Sequence, residues 1–398
     1  MKLKIPKVLS HYFKALFLFT VLLFISEIII RSYSRPTVSF DINWKVSRDE
    51  LNSYTILKNQ PWNLTFDGHM HSRFSDGYMT PIQLIEYQIA NGYDVIFPTE
   101  HNNLFGALEI KSIAEQYNKD HNTNLLVIPG IEYTCCRIHM NLIGVDSDLN
   151  LLPTSNFPSD QDLQNVIAAV HKQNGIVIVN HLTWSLQQQG DRLAPVLKRH
   201  PSPDQLLQWG VDGFEVINQN VFNYPLYQFC IEHNLIIWSG SDTHYPGHPF
   251  AWNVVQAQKT QKDVMEAIKQ RQSTIITHPY PEHFYAMRIN DKYTFMAPIA
   301  FINGIFKSFY VLDGGMYSFV DGSCHDTIFE LNFVVILSYL IWLFIGTLIF
   351  FWVDFLYIWN KLVWASTKIY NLVFKQREEA SEHLDNDEGE EERGLLGK

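Results

Sequence analysis

The chain reads as an α/β protein whose parallel sheet closes as a (β/α) barrel, with one transmembrane helix before it and another after it. Three observations predict this. Short apolar, β-branched-rich runs alternate with helical patterns through the middle of the chain, histidines and acidic residues recur where those runs end, and long apolar segments stand near both termini. Strands separated by helices imply parallel pairing, and metal-ligand residue types at the carboxyl ends of successive strands imply closure. An open doubly wound sheet would gather such residues from only two or three strands at its switch point.

The strand-like runs fall at 64–66, 95–97, 125–128, 140–145, 176–179, 214–217, 236–238 and 274–277. Between the first two, Thr80 and Pro81 supply an N-cap and an N1 proline, Ile82, Ile85 and Ile89 share one face, and Gly92 ends the helix. A second helix is expected over 160–174, with Leu163, Val166, Ile167 and Val170 on one stripe and Gly175 as its stop. A third begins near Thr260 and buries Val264 and Ile268.

The candidate site is distributed over the ends of these runs. His69 and His71 stand two apart in D-G-H-M-H, so on an extended chain both imidazoles point to one side. Asp76, His101, Glu132, His139, His181, Asp242 and His244 follow, nearly all at strand ends. Six imidazoles and three carboxylates suit Zn, Mn or Fe better than Ca, or Mg alone. Nine ligands exceed the needs of one tetrahedral ion, whereas two or three ions with Glu132 as a bridge would use them all. A lone histidine after an apolar run is usually a core or surface residue, but independent histidines would not keep choosing strand ends; His121, His171, His200 and His233 lie in polar contexts instead.

Taken together, D-G-H-M-H, S-D-G, T-E-H-N, G-I-E, H-M-N-L-I-G, N-H-L and S-D-T-H resemble the motif series of the polymerase and histidinol phosphatase (PHP) family of metal-dependent phosphoesterases, over residues 64–280. Glu100 replaces an Asp common in the family, and Leu182 a common Pro; neither is a ligand. The resemblance implies a distorted barrel of seven strands. It also implies three ions: one held by His69, His71, Glu132 and Asp242, one by Asp76, His101 and His244, and one by Glu132, His139 and His181. The activity expected is hydrolysis of a phosphomonoester or phosphodiester by a metal-activated hydroxide, with these nine residues as the catalytic centre. Arg73 and Arg137, near the motifs, are candidate bidentate clamps for the substrate phosphate.

Flanking segments place the domain. The run from Ala15 to Ile30 is broken only by Glu27, and 15–31 is read as a transmembrane helix or signal anchor, preceded by a basic tail over 1–14. A second transmembrane helix is expected over 329–353, followed by a basic juxtamembrane segment at 354–376 and an acidic, disordered tail at 377–398 that ends in a dileucine-like signal. Lys2, Lys4, Lys7 and Lys14 before the first span, and Lys361, Lys368, Lys375 and Arg377 after the second, predict cytoplasmic tails and a catalytic domain on the lumenal or extracytoplasmic side, endomembrane or vacuolar. The domain itself is bounded at 61–285, between a linker over 32–60 and a connector over 286–328 that packs beneath it or lies on the membrane surface.

The tail carries nine acidic and three basic residues, hence −6 of the formal −11, and what remains offers no basic surface for nucleic acid. The partners expected are therefore the membrane and a phosphorylated small molecule, lipid or glycan. Cys135 and Cys136 are adjacent while Cys230 and Cys324 stand alone, so no disulfide framework is expected. Asn63-Leu64-Thr65 is a glycosylation acceptor that abuts the first strand. An amidohydrolase acting on amides or lactones is the alternative reading, although such enzymes commonly bridge their metals with a modified lysine, and no lysine lies between Asp120 and Lys172. A non-catalytic, metal-stabilised membrane protein is the second alternative.

Overall fold

Two mixed sheets, and not one closed seven-stranded barrel, carry the site. The structure, a computed structural model, describes residues 7–31, 37–40, 42, 45–53, 61–186, 197–277, 287–290, 297–313, 318–324, 328–353, 356–372 and 374–375. Lys2, Lys4 and the acidic tail with its dileucine-like end lie outside the described residues. The chain divides into two units: Ser34–Thr294 with Leu312–Phe329, and Met1–Tyr33 with Phe295–Val311 and Glu330–Lys398.

Between residues 61 and 277 the first unit contains, in order, β1 (Leu64–Asp67), α1 (Pro81–Ala90), β2 (Val95–Ile96), α2 (Leu104–His121), β3 (Leu126–Val127), β4 (Gly130–Thr134), β5 (His139–Ile143), α3 (Asp160–Lys172), β6 (Ile176–Val179), α4 (Leu182–Leu186), α5 (Pro203–Trp209), β7 (Gly213–Asn218), β8 (Val221–Phe222), α6 (Tyr224–Glu232), β9 (Ile236–Gly240), β10 (Ala251–Val255), α7 (Gln261–Lys269) and β11 (Ser273–Thr277). One sheet runs β9-β7-β6-β5-β4, with β8 beside β7; the other runs β11-β10-β1-β2-β3.

The expected parallel order holds for β1-β2-β3 and β6-β7-β9. It fails at β4-β5-β6 and at β11-β10-β1, which are antiparallel. Two strands missing from the sequence reading, β4 and β10, account for this. The loop between β4 and β5 is too short for a helical crossover, so those strands can pair only as antiparallel neighbours. β10 occupies the edge of β1 that β9 would need for closure. Single parallel bridges, Met70 with Thr243 and His101 with Glu132, link the sheets beyond the strand ends.

Asn253 on β10 replaces part of the missing ladder. Its side-chain oxygen accepts from Ser239 N at 2.7 Å, and its amide donates to Ser239 O at 2.6 Å and Phe66 O at 3.2 Å, tying β9 to β1. An amide inside A-W-N-V-V breaks the apolar run, which is why sequence patterning passes over this strand.

Alternation along the strands sorts the core into layers. Ile176 and Ile178 face an interior shared with Phe66, Phe97, Ile236 and Trp238, whereas Val177 and Val179 pack outward with Leu163, Ile167 and Val170 of α3. Each fully buried side chain of this size contributes roughly 1.5–3 kcal/mol. On α1, Thr80 and Gln83 form a capping box, and Leu84, Ile85 and Tyr87 are buried; Ile82, expected on the inner face, is exposed. The helix ends before Gly92, whose φ of +77° only glycine adopts freely. Ser159 and Thr260 cap α3 and α7.

Cys136 and Cys324 form a disulfide, contrary to the sequence reading; their separation of 188 residues hides the pairing from spacing rules. Asn63 exchanges two hydrogen bonds with the Ala257 backbone at 2.8 and 2.9 Å, so the nitrogen that a glycan would need is already engaged.

In the second unit, the segments Leu9–Ile30 and Phe333–Phe350 are long and apolar enough to cross a membrane. Glu27, the one acidic residue of the first, accepts a hydrogen bond at 2.5 Å from Asn303 on the helix Ala297–Ser308, which belongs to the connector stretch.

Gly68 tests the interior most sharply. A Cβ there would sit 2.0 Å from Trp238 Nε1, whose indole donates to Gly68 O at 3.1 Å. Gly68→Ala should lower stability by about 1–3 kcal/mol, the usual cost of overpacking, read as the unfolding midpoint of the detergent-solubilised protein. A midpoint equal to the parent's would show that the interior yields at this point.

Candidate metal centre

Beyond β1 the chain continues as Gly68–His71, and His69 and His71 turn to the same side with their Nε2 atoms 3.1 Å apart. Glu132 from β4 brings Oε2 to 3.3 Å from both. Asp242, past the end of β9, brings Oδ1 to 3.5 Å from His69 Nε2 and 3.3 Å from His71 Nε2. Each carboxylate oxygen thus lies within 3.3–3.5 Å of both imidazole nitrogens, close enough for His69 and His71 to share a cation with either acid. This donor set fits a divalent transition metal.

The other predicted ligands gather around the same group. Asp76 Oδ1 lies 3.2 Å from His244 Nε2, 3.5 Å from His101 Nε2 and 4.0 Å from His71 Nδ1. Glu132 Oε1 is 3.1 Å from His139 Nδ1 and 3.2 Å from His181 Nε2, while His101 Nδ1 lies 2.8 Å from Glu132 Oε2. His139 Nε2 is buried without a hydrogen-bond partner among the described residues. All nine residues are thus linked in one cluster of close contacts, with both oxygens of Glu132 shared between neighbouring groups. His181 and Asp242 take φ of +23° and +46°, left-handed conformations that an ordinary side chain avoids.

The carboxylates and imidazoles of the cluster shift one another's proton affinities. Burial would raise the carboxyl pKa values of Glu132, Asp76 and Asp242, but the surrounding imidazoles outweigh it and hold all three well below the carboxylate range. Burial likewise opposes charge on His69 and His71, yet Asp242 and Glu132 hold His69 far up and His71 at about 10. His139 goes the other way, pushed by burial down to about 4.

Several supporting residues escaped the sequence reading. Glu215 on β7 accepts from His69 Nδ1 at 3.0 Å and His181 N at 2.8 Å, which fixes the tautomer that leaves His69 Nε2 free to ligate. Asn180 donates to Glu132 Oε1 at 2.9 Å and to Asn141 Oδ1 at 2.8 Å; Thr134 Oγ1 meets His101 Nδ1 at 2.7 Å. Glu100 receives Ser72 N at 2.8 Å and the Ser75 hydroxyl. A visible signal existed only for Glu215, a carboxylate inside the apolar run G-F-E-V-I-N, where a buried charge requires a partner.

The two arginines take structural positions. Arg137 donates to Arg199 O and Pro158 O, both at 2.8 Å, and pairs with Asp160, so its guanidinium ties loops together and is no free clamp. Arg73 donates from Nε to Tyr78 O at 3.1 Å. Beside Asp242 and His181 lies a cavity of about 130 Å³ lined by Thr183, Trp184, Asn218 and Gln219.

Residues 67–199 match the PHP domain family. Among solved structures, a two-domain protein from Bacteroides vulgatus ATCC 8482 containing a predicted PHP-like metal-dependent phosphoesterase is 23% identical with a TM-score of 0.44, covering 55% of this chain and 68% of that one. A protein from Bifidobacterium adolescentis ATCC 15703 assigned as a metal-dependent phosphoesterase is 20% identical with a TM-score of 0.34, over 46% and 89% of the two chains. An amidohydrolase from Chromobacterium violaceum is 16% identical with a TM-score of 0.34, over 54% and 98%. No curated protein matches the chain. With the predicted ligand residues clustered and the family model matched across residues 67–199, that stretch of the chain is similar to the PHP domain family.

Proposed function

We propose that this chain is a membrane-anchored, metal-dependent phosphoesterase that hydrolyses a phosphomonoester or phosphodiester. The observation that carries the reading is the convergence of Glu132 and Asp242 on the paired imidazoles of His69 and His71, extended on two sides by Asp76, His101 and His244 and by His139 and His181. Two or three Zn, Mn or Fe ions would use this ligand set, with Glu132 bridging. When bound, such ions acidify water, neutralise phosphate oxygens and steady the leaving alkoxide.

The protein's own residues supply the rest. Glu215 and Asn180 hold His69, His181 and Glu132 in place, so little reorganisation accompanies reaction. His244 is the most exposed of the nine ligands, at 26%, and Asp76 and Asp242 adjoin it; substrate would enter on that side. The two apolar segments support anchoring, which motivates a lipid-linked or glycan-linked phosphate as substrate. The Cys136–Cys324 disulfide favours an oxidising, extracytoplasmic location for the domain, in keeping with basic residues beside both spans.

The purified protein should contain bound transition metal and cleave members of a panel of soluble phosphomonoesters, phosphodiesters and lipid-linked phosphates. His71→Ala or Asp242→Ala should lower kcat/KM by roughly a hundredfold or more, since each leaves an incomplete metal set. Full turnover in either variant, or cleavage of amides or lactones but no phosphate, would sink the proposal.

Because His69 and His71 are held above their ordinary pKa by neighbouring carboxylates, metal binding near neutral pH must expel their protons. Affinity should rise with pH from about 6 to 8, and calorimetry in buffers of different ionisation enthalpy should register net proton release. PH-independent binding would contradict the assignment of these imidazoles as ligands.

Glu215→Gln keeps the shape but weakens the hold on His69. Metal affinity should fall by about 10–100-fold in chelator competition, with the folded state retained. Unchanged affinity would make Glu215 a packing residue only.

A further inference from the structure

The aromatic ring stacked most closely on a ligand comes from far along the chain. Phe319 stacks on His101 with ring centroids 3.7 Å apart and planes 28° apart, and His71 stacks on the same imidazole at 4.3 Å and 16°. Two near-parallel rings so close cannot share one face, so His101 is the middle plate of three. Its edge is also fixed, with Nδ1 at 2.7 Å from Thr134 Oγ1 and 2.8 Å from Glu132 Oε2, which leaves Nε2 directed towards Asp76 at 3.5 Å.

No strand or helix positions Phe319. Residues 318–324 form a tight turn in which Ser318 N donates to Gly322 O at 2.9 Å, with Gly322 at φ +64°. Three attachments hold it. Cys324 is bonded to Cys136; Asn156 donates to Asp321 O at 2.5 Å and accepts from the Ser318 hydroxyl; and Val320 packs against the core cluster that contains Tyr133 and Ile138. Asn156 O in turn accepts from Cys136 N at 2.9 Å, so the disulfide and the amide contacts converge on one loop.

We infer that this strap is a working part of the metal centre: Phe319 is a positioning residue that fixes the His101 imidazole for ligation and shields its outer face, and the Cys136–Cys324 bond keeps it there. The inference rests on the metal-centre reading above, but not on the reaction or its substrate. An imidazole bound to a cation shares the positive charge, and an aromatic face is a favourable partner for it. The same face excludes water that would compete for the ion or let the ring swing. Ligand orientation by outer residues commonly governs metal affinity, and here that outer residue is delivered by a covalent tether that reduction can cut.

The test uses the full chain in detergent, loaded with Co²⁺ or Zn²⁺. Phe319→Ala and the paired substitution Cys136→Ser with Cys324→Ser should each weaken the least tightly held metal equivalent by roughly 10–100-fold in chelator competition, and each should alter the visible absorption of the Co²⁺ protein. Phe319→Tyr, which keeps the ring, should restore affinity and spectrum; Phe319→Leu, which keeps apolar volume without a ring, should not, and it replaces the alanine variant if that one fails to fold. Combining Phe319→Ala with the cysteine pair should add little, because both remove the same contact. Parental affinity and spectrum in Phe319→Ala, or metal loss in the cysteine variant alone, would overturn the inference. A parental protein that binds no metal would instead overturn the metal centre itself, and this inference with it.

Discussion

Glu132 is the constraint on which the rest of the domain depends. A carboxylate wholly buried among imidazoles cannot remain charged in an apolar interior without positive charge close by, and five histidines surround it. Both oxygens are committed, one towards His69, His71 and His101, the other towards His139, His181 and the amide of Asn180. Such a group favours cations over protons only if its neighbours are held still. The polar groups beneath it are therefore as much part of the site as the ligands.

That rigidity comes from how the sheets are joined. A closed barrel would hold its ligands through an unbroken ladder, but here the sheets meet through two isolated bridges, the Asn253 side chain, and Gly68 pressed against Trp238. Met70 and Thr243 bring the His69 and Asp242 segments together, and His101 with Glu132 does the same on the other flank. The bridging residues are ligands or neighbours of ligands. Stitching the sheets and assembling the pocket are thus one structural event.

Much of this was legible along the chain. The alternation at 176–179, the Thr80–Pro81 helix start and the D-G-H-M-H spacing encode local geometry, and local geometry is what a linear pattern can carry. β4 and β10 were not legible. G-I-E-Y-T is strand because Glu132 is wanted in the pocket, and A-W-N-V-V is strand because Asn253 bonds sideways; in each, a polar residue with a tertiary purpose interrupts the apolar signal. Arg137 illustrates the reverse error, for proximity to a motif in sequence said nothing of where its guanidinium finds acceptors.

The sequence by itself determined the candidate ligand residues, most of the helices and strands, and the two apolar segments, because residue type, periodicity and caps act within a few residues of one another. Only the tertiary structure decided that the sheets stay unclosed, that Glu215 and Asn180 stand behind the ligands, and that Phe319 reaches His101 through the bond between Cys136 and Cys324. Those features join residues tens to nearly two hundred positions apart, and no spacing rule reaches that far. Contacts of this kind are chosen by the packing of the whole domain, where a buried charge, a glycine without room for a methyl group or a ring against an imidazole has one place to go.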